Sequence, residues 1–452
     1  MAKTFCRRRA RVYDGRLGSL GGWTMIAILR TAALAATAIG GALVAGPAFT
    51  QGGGPVARYT LDAGTIGGMG AMARGGGGMG AAMAMMRGGG GPAHELVLRL
   101  GSTRTPTGGA PQATHFLPQT ARFGPSLPLY TPPPGRTEVG SYGGQMPKGR
   151  LLLFWGCGEH APAGQPVVID FSKMAKGQVP PGLFAQAVAV ADQWRITQAG
   201  SKSYGEWPNP EDPKPVPGNA SLLGAHKVTG NYTPDIAFTL DQDFMAPIRM
   251  SSRETGAGAH AMSWNAVPAA TGYYAWTMSA RGTDRKGDAM EMVWWTSSAS
   301  QQFGGPMWDW LSPAAVAKLI GAKTVMPPSQ TSCTVPAEVV KASGEAIMAS
   351  LYAYGPERNF AFPPRPANAK TPWKPEWIAR ARFRSMSMNI LGMDMGAMGG
   401  AMGGAMGGMG SGGYGDADEA DGEGSASARQ PAKPKCGKGL GAIARRAAGL
   451  CE

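Results

Sequence analysis

Cys157, Glu159 and His160 (CGEH) form the densest grouping of reactive side-chain types in the chain. A thiolate and an imidazole three residues apart would act as nucleophile and base, or as two metal ligands, given a further partner from elsewhere in the fold. That is a hydrolase reading. Its ordinary counterpart is a disulfide cysteine at a strand end followed by a polar turn. No serine has glycine at both minus two and plus two, and neither His-Glu-x-x-His nor a Gly-Lys-Ser/Thr phosphate loop occurs. The five histidines, at 94, 115, 160, 226 and 260, are far apart in sequence. Asp241 and Asp243 open like a calcium loop but lack its later ligands, which leaves loop capping as their role. A non-catalytic protein is expected.

Methionine offers a second chemistry. Of the 27 Met residues, fourteen fall in two short segments, at 69–86 and 386–409. Thioethers two to four residues apart can collect a soft ion such as Cu(I), and Met386, Met388, Met393, Met395 and Met398 have the best spacing. A Met/Gly/Ala tract equally supplies an adaptable apolar surface for a partner or for self-association, or serves as a flexible loop. A third chemistry is stacking. Trp264, Trp276, Trp294, Trp295, Trp308 and Trp310 crowd into 47 residues. The pair at Trp294 and Trp295 puts one ring on each side of a strand, where it would stack on a sugar. Sandwich cores use tryptophan in the same density.

The cysteines fix a compartment. Four of the five remain if Cys6 is lost with a leader, and an even number in an oxidising compartment implies two disulfides with three possible connectivities. Cys157 and Cys333 lie in the apolar body, Cys436 and Cys451 in the tail. A continuous helix from 436 to 451 would hold its ends about 22 Å apart, against about 7 Å for a bridge. Cys157–Cys333 is therefore the better pairing. Cys436–Cys451 requires the chain to fold back at Gly437 and Gly439.

The elements that must position these residues read as strands. Leu151–Trp155, Val167–Phe171, Asp235–Leu240, Tyr273–Met278, Met290–Thr296 and Ile347–Tyr354 are short, apolar or alternating, and bounded by Gly, Pro or Asp. Ser312 is an N-cap for a helix over 312–320 that Gly321 stops, and a weaker helix spans Val339–Ala346. Glycine, 70 residues in all, concentrates in Met/Gly tracts at 67–91 and 392–413. Both are flanked by alternating segments, Arg58–Leu61, Glu95–Leu100 and Ala379–Ile390. Prolines cluster in connectors at 208–217 and 363–375. The fold expected is mainly β: one or two β-sandwich domains with few short helices and two long Met/Gly-rich loops.

The apolar run Thr31–Gly46 follows a cationic stretch and ends near small residues, as a secretory signal peptide over 1–48 does. It is too short and weakly apolar for a comfortable membrane span, and Met1–Thr24 reads as an upstream extension. Removing 1–48 takes away seven basic residues and one acid, so the formal charge falls from +14 to +8. No basic cluster interleaved with aromatics survives, so nucleic acid is not an expected partner. An envelope polymer or protein partner is, in the periplasm or at the cell surface. The organisation expected is a β-rich region at 55–240, a sandwich region at 241–390, a low-complexity linker at 391–435 and an amphipathic tail at 436–452. The stripe Leu440, Ile443, Ala447 and Leu450 on that tail would dock on the body or lie on a membrane surface.

Within 246–300, the segments APIRM, AMSWNAVPAATGYYAWTM and EMVWWTS resemble a fibronectin type III-like module. Its tryptophan falls at Trp264, its Val-Pro turn at Val267 and Pro268, and its Tyr-Tyr strand opening at Tyr273 and Tyr274. The resemblance implies a binding or spacer module and no catalytic residue. In style the whole chain is similar to exported proteins of high-GC proteobacteria.

Overall fold

A computed structural model describes residues 54–74, 91–133, 149–174, 195–212, 214–282, 290–302, 305–368 and 370–393. Cys436, Cys451, Met395, Met398 and the tail lie outside these residues. So do most of both Met/Gly tracts.

The fold is mainly β. Its strands are β1 (Ala57–Gly68), β2 (Ala93–Ser102), β3 (Ala113–Phe116), β4 (Ser126–Leu129), β5 (Gly149–Trp155), β6 (Val167–Asp170), β7 (Ser203–Trp207) and β8 (Gly224–Gly230). They continue with β9 (Ile236–Leu240), β10 (Met250–Glu254), β11 (His260–Trp264), β12 (Gly272–Arg281), β13 (Met290–Thr296), β14 (Ser332–Val335), β15 (Met348–Phe362) and β16 (Trp377–Ile390). The short helices are α1 (Met69–Arg74), α2 (Phe171–Met174), α3 (Pro313–Gly321) and α4 (Ala337–Ala342). None of them is long and apolar enough to cross a membrane.

Nine strands form one sheet in the order β6-β5-β13-β12-β15-β16-β1-β2-β7. Two smaller sheets, β10-β11-β14 and β4-β3-β8-β9, share a continuous apolar core with it. The large sheet crosses residue 240: β5 of the first expected region pairs with β13 of the second, and β1 with β16. The sequence boundary at 240–241 thus does not divide the sheet.

Alternation explains how strands with so many buried positions are laid out. On β1, Ala57, Tyr59, Leu61 and Ala63 point to one face and stand level with Leu100, Leu98 and Leu96 of β2 and Ala379, Ala381 and Phe383 of β16. All of them join the core beneath the four-stranded sheet. The opposite face carries Thr60, Asp62 and Gly64 of β1, Arg99 and Glu95 of β2, and Arg380, Arg382 and Arg384 of β16. Further along the sheet, Tyr273 packs on Trp264 of β11 with ring centroids 5.6 Å apart. The other face there holds Tyr274, Tyr352 and Tyr354 against Val316 and Leu319 of α3. Ser312 caps α3 as expected, its Oγ accepting from the Ala315 amide at 3.2 Å.

β15 is longer than the expected 347–354. Its register slips between Tyr354 and Glu357, and pairing then resumes to Phe362. Gly355 and Pro356 occupy the slip. A Cβ on residue 355 would meet the Met245 sulfur at 2.3 Å and the Phe383 carbonyl oxygen at 2.5 Å. Glycine therefore admits the close approach and the bulge accommodates the proline.

Candidate functional site

The charged face that β16, β1 and β2 present near one end of the large sheet gathers ionisable side chains that the sequence leaves unconnected. Pairing of β1 with β16 sets Asp62 opposite Arg382, and pairing with β2 sets Gly64 opposite Glu95. Arg382 donates to both Asp62 oxygens, Nε to Oδ1 at 2.7 Å and Nη2 to Oδ2 at 2.9 Å. Arg99 adds Nη1 to Oδ2 at 3.1 Å. Arg384 donates to Glu95 Oε1 from Nε at 3.1 Å and from Nη2 at 2.8 Å. Glu95 can lie across the strand because residue 64 lacks a side chain: a Cβ there would meet Oε1 at 2.3 Å.

A strap over 305–311 covers this face. Arg382 Nη1 donates to the Trp310 carbonyl at 2.5 Å, and Arg384 Nη1 donates to that of Trp308. The Arg384 guanidinium lies 3.5 Å from the Trp310 ring centroid, so it is sandwiched between a carboxylate and an aromatic face. Tyr354 Oη donates to the Met307 carbonyl at 2.6 Å, which fixes the near end of the strap. Asp62 is fully buried, and Arg382 and Arg384 are nearly so. Desolvated charges of this kind persist only when each has a bonded counter-charge. The arrangement bolts the strap to three adjacent strands.

On the apolar face, Tyr59 Oη, His115 and His226 form a chain. Tyr59 Oη lies 2.6 Å from His115 Nδ1, His115 Nε2 lies 3.0 Å from His226 Nδ1, and His226 Nε2 lies 2.7 Å from the Leu222 carbonyl. A carbonyl only accepts, so His226 Nε2 carries the proton. The chain is then satisfied with Tyr59 donating to His115 and His115 donating to His226, all three neutral. Burial pushes the Tyr59 phenol well up, with the Asp62 charge adding to it, and pushes His115 well down, with His226 contributing. His226 is also lowered, again by burial.

The residues singled out in the sequence fall elsewhere. Cys157 is bonded to Cys333 with Cα atoms 5.2 Å apart, so it has no thiol with which to attack a substrate. His160 Nδ1 lies 3.1 Å from Glu338 Oε1, and the other carboxylate oxygen accepts from the Ala161 amide at 2.8 Å. The cluster is a clamp tying the loop after β5 to α4, and the nucleophile-base pair that its spacing allows is not formed. Trp295 is fully buried with Nε1 donating to the Gly156 carbonyl at 2.8 Å. Trp294 is buried against Trp276, centroids 4.8 Å apart. Neither ring offers a face to a sugar, which corrects the glycan-stacking expectation. Their alternation on β13 sends one into each buried layer.

Met386 and Met388 lie half-buried on β16, and Met393 follows it, exposed. Among the described residues, no group of three or more His, Cys, Asp or Glu is placed to hold a metal ion. Asp243 Oδ1 accepts from the Leu222 and Phe244 amides, and Asp241 pairs with Arg358 at 2.9 Å; both serve loop structure.

Neither the charged face nor the histidine chain is an expectation that the sequence alone supplies. The signal for the first was present in ARARFRS, where arginine takes every second position of an otherwise apolar strand. No family model, curated protein or solved structure matches the chain.

Proposed function

We propose that the chain is an exported, non-catalytic structural or binding protein of the cell envelope. One observation carries the reading: Cys157 and Cys333, 176 residues apart, are joined. Such a bond is at home in an oxidising compartment, and the chain opens with a segment of leader composition. The reading is supported further by how reactive groups are used. The disulfide, the Asp62 and Glu95 pairs and the Tyr59-His115-His226 chain each bind one part of the scaffold to another.

The finer architecture proposed for 241–390 is a fibronectin type III-like sandwich. Supporting it, β10, β11 and β14 form one sheet while β13, β12, β15 and β16 run adjacent in the other. Seven consecutive strands so divided, with the fifth returning to the first sheet, have the crossing connections of such sandwiches.

The test is fractionation of producing cells with a maleimide that adds mass to free thiols. The expected result is a protein released with the envelope fraction, shortened by its leader, whose Cys157 and Cys333 react only after reduction. A full-length protein in the cytosol with both thiols reactive would overturn the reading.

A further inference from the structure

The β15–β16 hairpin ends in a loop with unusual chemistry for a connector. From Pro363 to Pro375 it contains Arg365, Lys370 and Lys374 and no acidic residue. All three cations are exposed and none forms an ion pair among the described residues. The adjoining Glu376 is occupied by Arg104, 3.2 Å away. The loop therefore shows water an uncompensated charge of three.

Its shape is set in advance. Five prolines in these thirteen residues fix φ at their positions. Trp373 Nε1 donates to the Pro363 carbonyl at 3.0 Å across the loop, and Asn368 Oδ1 accepts from the Lys370 amide at 3.0 Å. The Arg365 guanidinium stands 5.5 Å from the Trp373 ring centroid. At the loop's base Phe362 is 53% exposed, more than any other large hydrophobic among the described residues, although its ring stacks on buried Trp377.

We propose that this hairpin tip is a contact site for the surface of an anionic lipid bilayer. Cations beside an aromatic ring match a bilayer interface, where headgroups take the charge and the ring enters the acyl boundary. A soluble polyanion would use the three cations but leave Phe362 in water. The Trp373 and Asn368 hydrogen bonds reduce the conformational entropy to be lost on contact.

The test is co-sedimentation of the full chain with vesicles of phosphatidylcholine alone or mixed with phosphatidylglycerol, at 50 and 500 mM salt. The quantity read is the salt-sensitive part of binding. Phosphatidylglycerol should be required. Lys370→Ala with Lys374→Ala should lower the salt-sensitive part about 25-fold, at roughly 5-fold per lysine. Phe362→Ser should lower total affinity roughly tenfold while leaving the salt dependence unchanged. All three positions are exposed, so circular dichroism should show the native fold in each variant. Wild-type binding by the double lysine variant would overturn the proposal, since another segment would then be making the contact. So would unchanged binding by Phe362→Ser together with competition by soluble polyphosphate, the behaviour of a polyanion site.

Discussion

Replacing Asp62 with Asn preserves the volume of a fully buried side chain and removes its charge. In the folded protein, Asp62 receives two bonds from Arg382 and one from Arg99. Arg99 is about a third exposed and can turn to water. Arg382, 6% exposed, cannot, and an asparagine amide group would direct its own donors at the guanidinium. The cost is therefore that of leaving one buried cation without its counter-charge, about 3–5 kcal/mol. This is a large share of the ~5–15 kcal/mol typical of a folded protein. Urea unfolding at pH 7 measures it, provided the slope of the transition stays unchanged between variants. The same physics makes the double variant Asp62→Leu with Arg382→Met recover to within about 2 kcal/mol of the parent, because removing both charges also removes the desolvation cost. A loss below about 1 kcal/mol for Asp62→Asn would refute the account, since that is the size of a solvated surface pair.

Three further outcomes are expected. His115 and His226 stay neutral in the folded core while unfolded imidazoles protonate near pH 6.5, so below that pH the unfolded state holds more protons. Stability should be whole above pH 6.5 and fall as pH drops, by at most about 1.4 kcal/mol per unit for each imidazole; urea titrations from pH 7.5 to 5 should show a shallower slope in the His115→Leu/His226→Leu variant. The remainder would come from His94 and His260, which burial also lowers. Gly64→Ala should cost about 1–3 kcal/mol by driving the Glu95 carboxylate from Arg384, and a thermal melt equal to the parent would contradict this. Cys157→Ser with Cys333→Ser should lower stability by about 2–5 kcal/mol, and dithiothreitol should reproduce the loss in the parent but not in the variant.

What the sequence reveals and what it hides follow from range. Strands such as β5, β12 and β13 are legible because burial on both faces demands apolar runs with β-branched and aromatic residues. α3 is legible because its cap and stop are local chemistry. The polar strand β10 (MSSRE) and the four-residue β3 and β14 carry too little pattern, and their pairing partners supply what their sequences lack. β15 reads from its sequence as ending at Tyr354 because Gly355 and Pro356 give a stop signal that the bulge absorbs. The candidate site was hidden for another reason. Arg382 faces Asp62 across a separation of 320 residues, and His115 meets His226 across 111. Alternation marks which side chains share a face, but not which strand lies beside which. The disulfide is within reach of the sequence because the apolar body holds two cysteines, Cys157 and Cys333, and these are the two that pair.

The parallel pairing of β1 with β16 has a consequence for the order of events during synthesis. These are the first and last of the described strands, and twelve consecutive positions of β1 are matched to residues of β16. Until β16 has emerged, β1 lacks one neighbour, and the carboxylate of Asp62 has only the partly exposed Arg99 to pair with. A nascent chain thus lacks the two-bond Arg382 partner of Asp62 until the last described strand arrives. Contacts of such sequence separation form slowly. The sheet can therefore close only after every other described strand has been made.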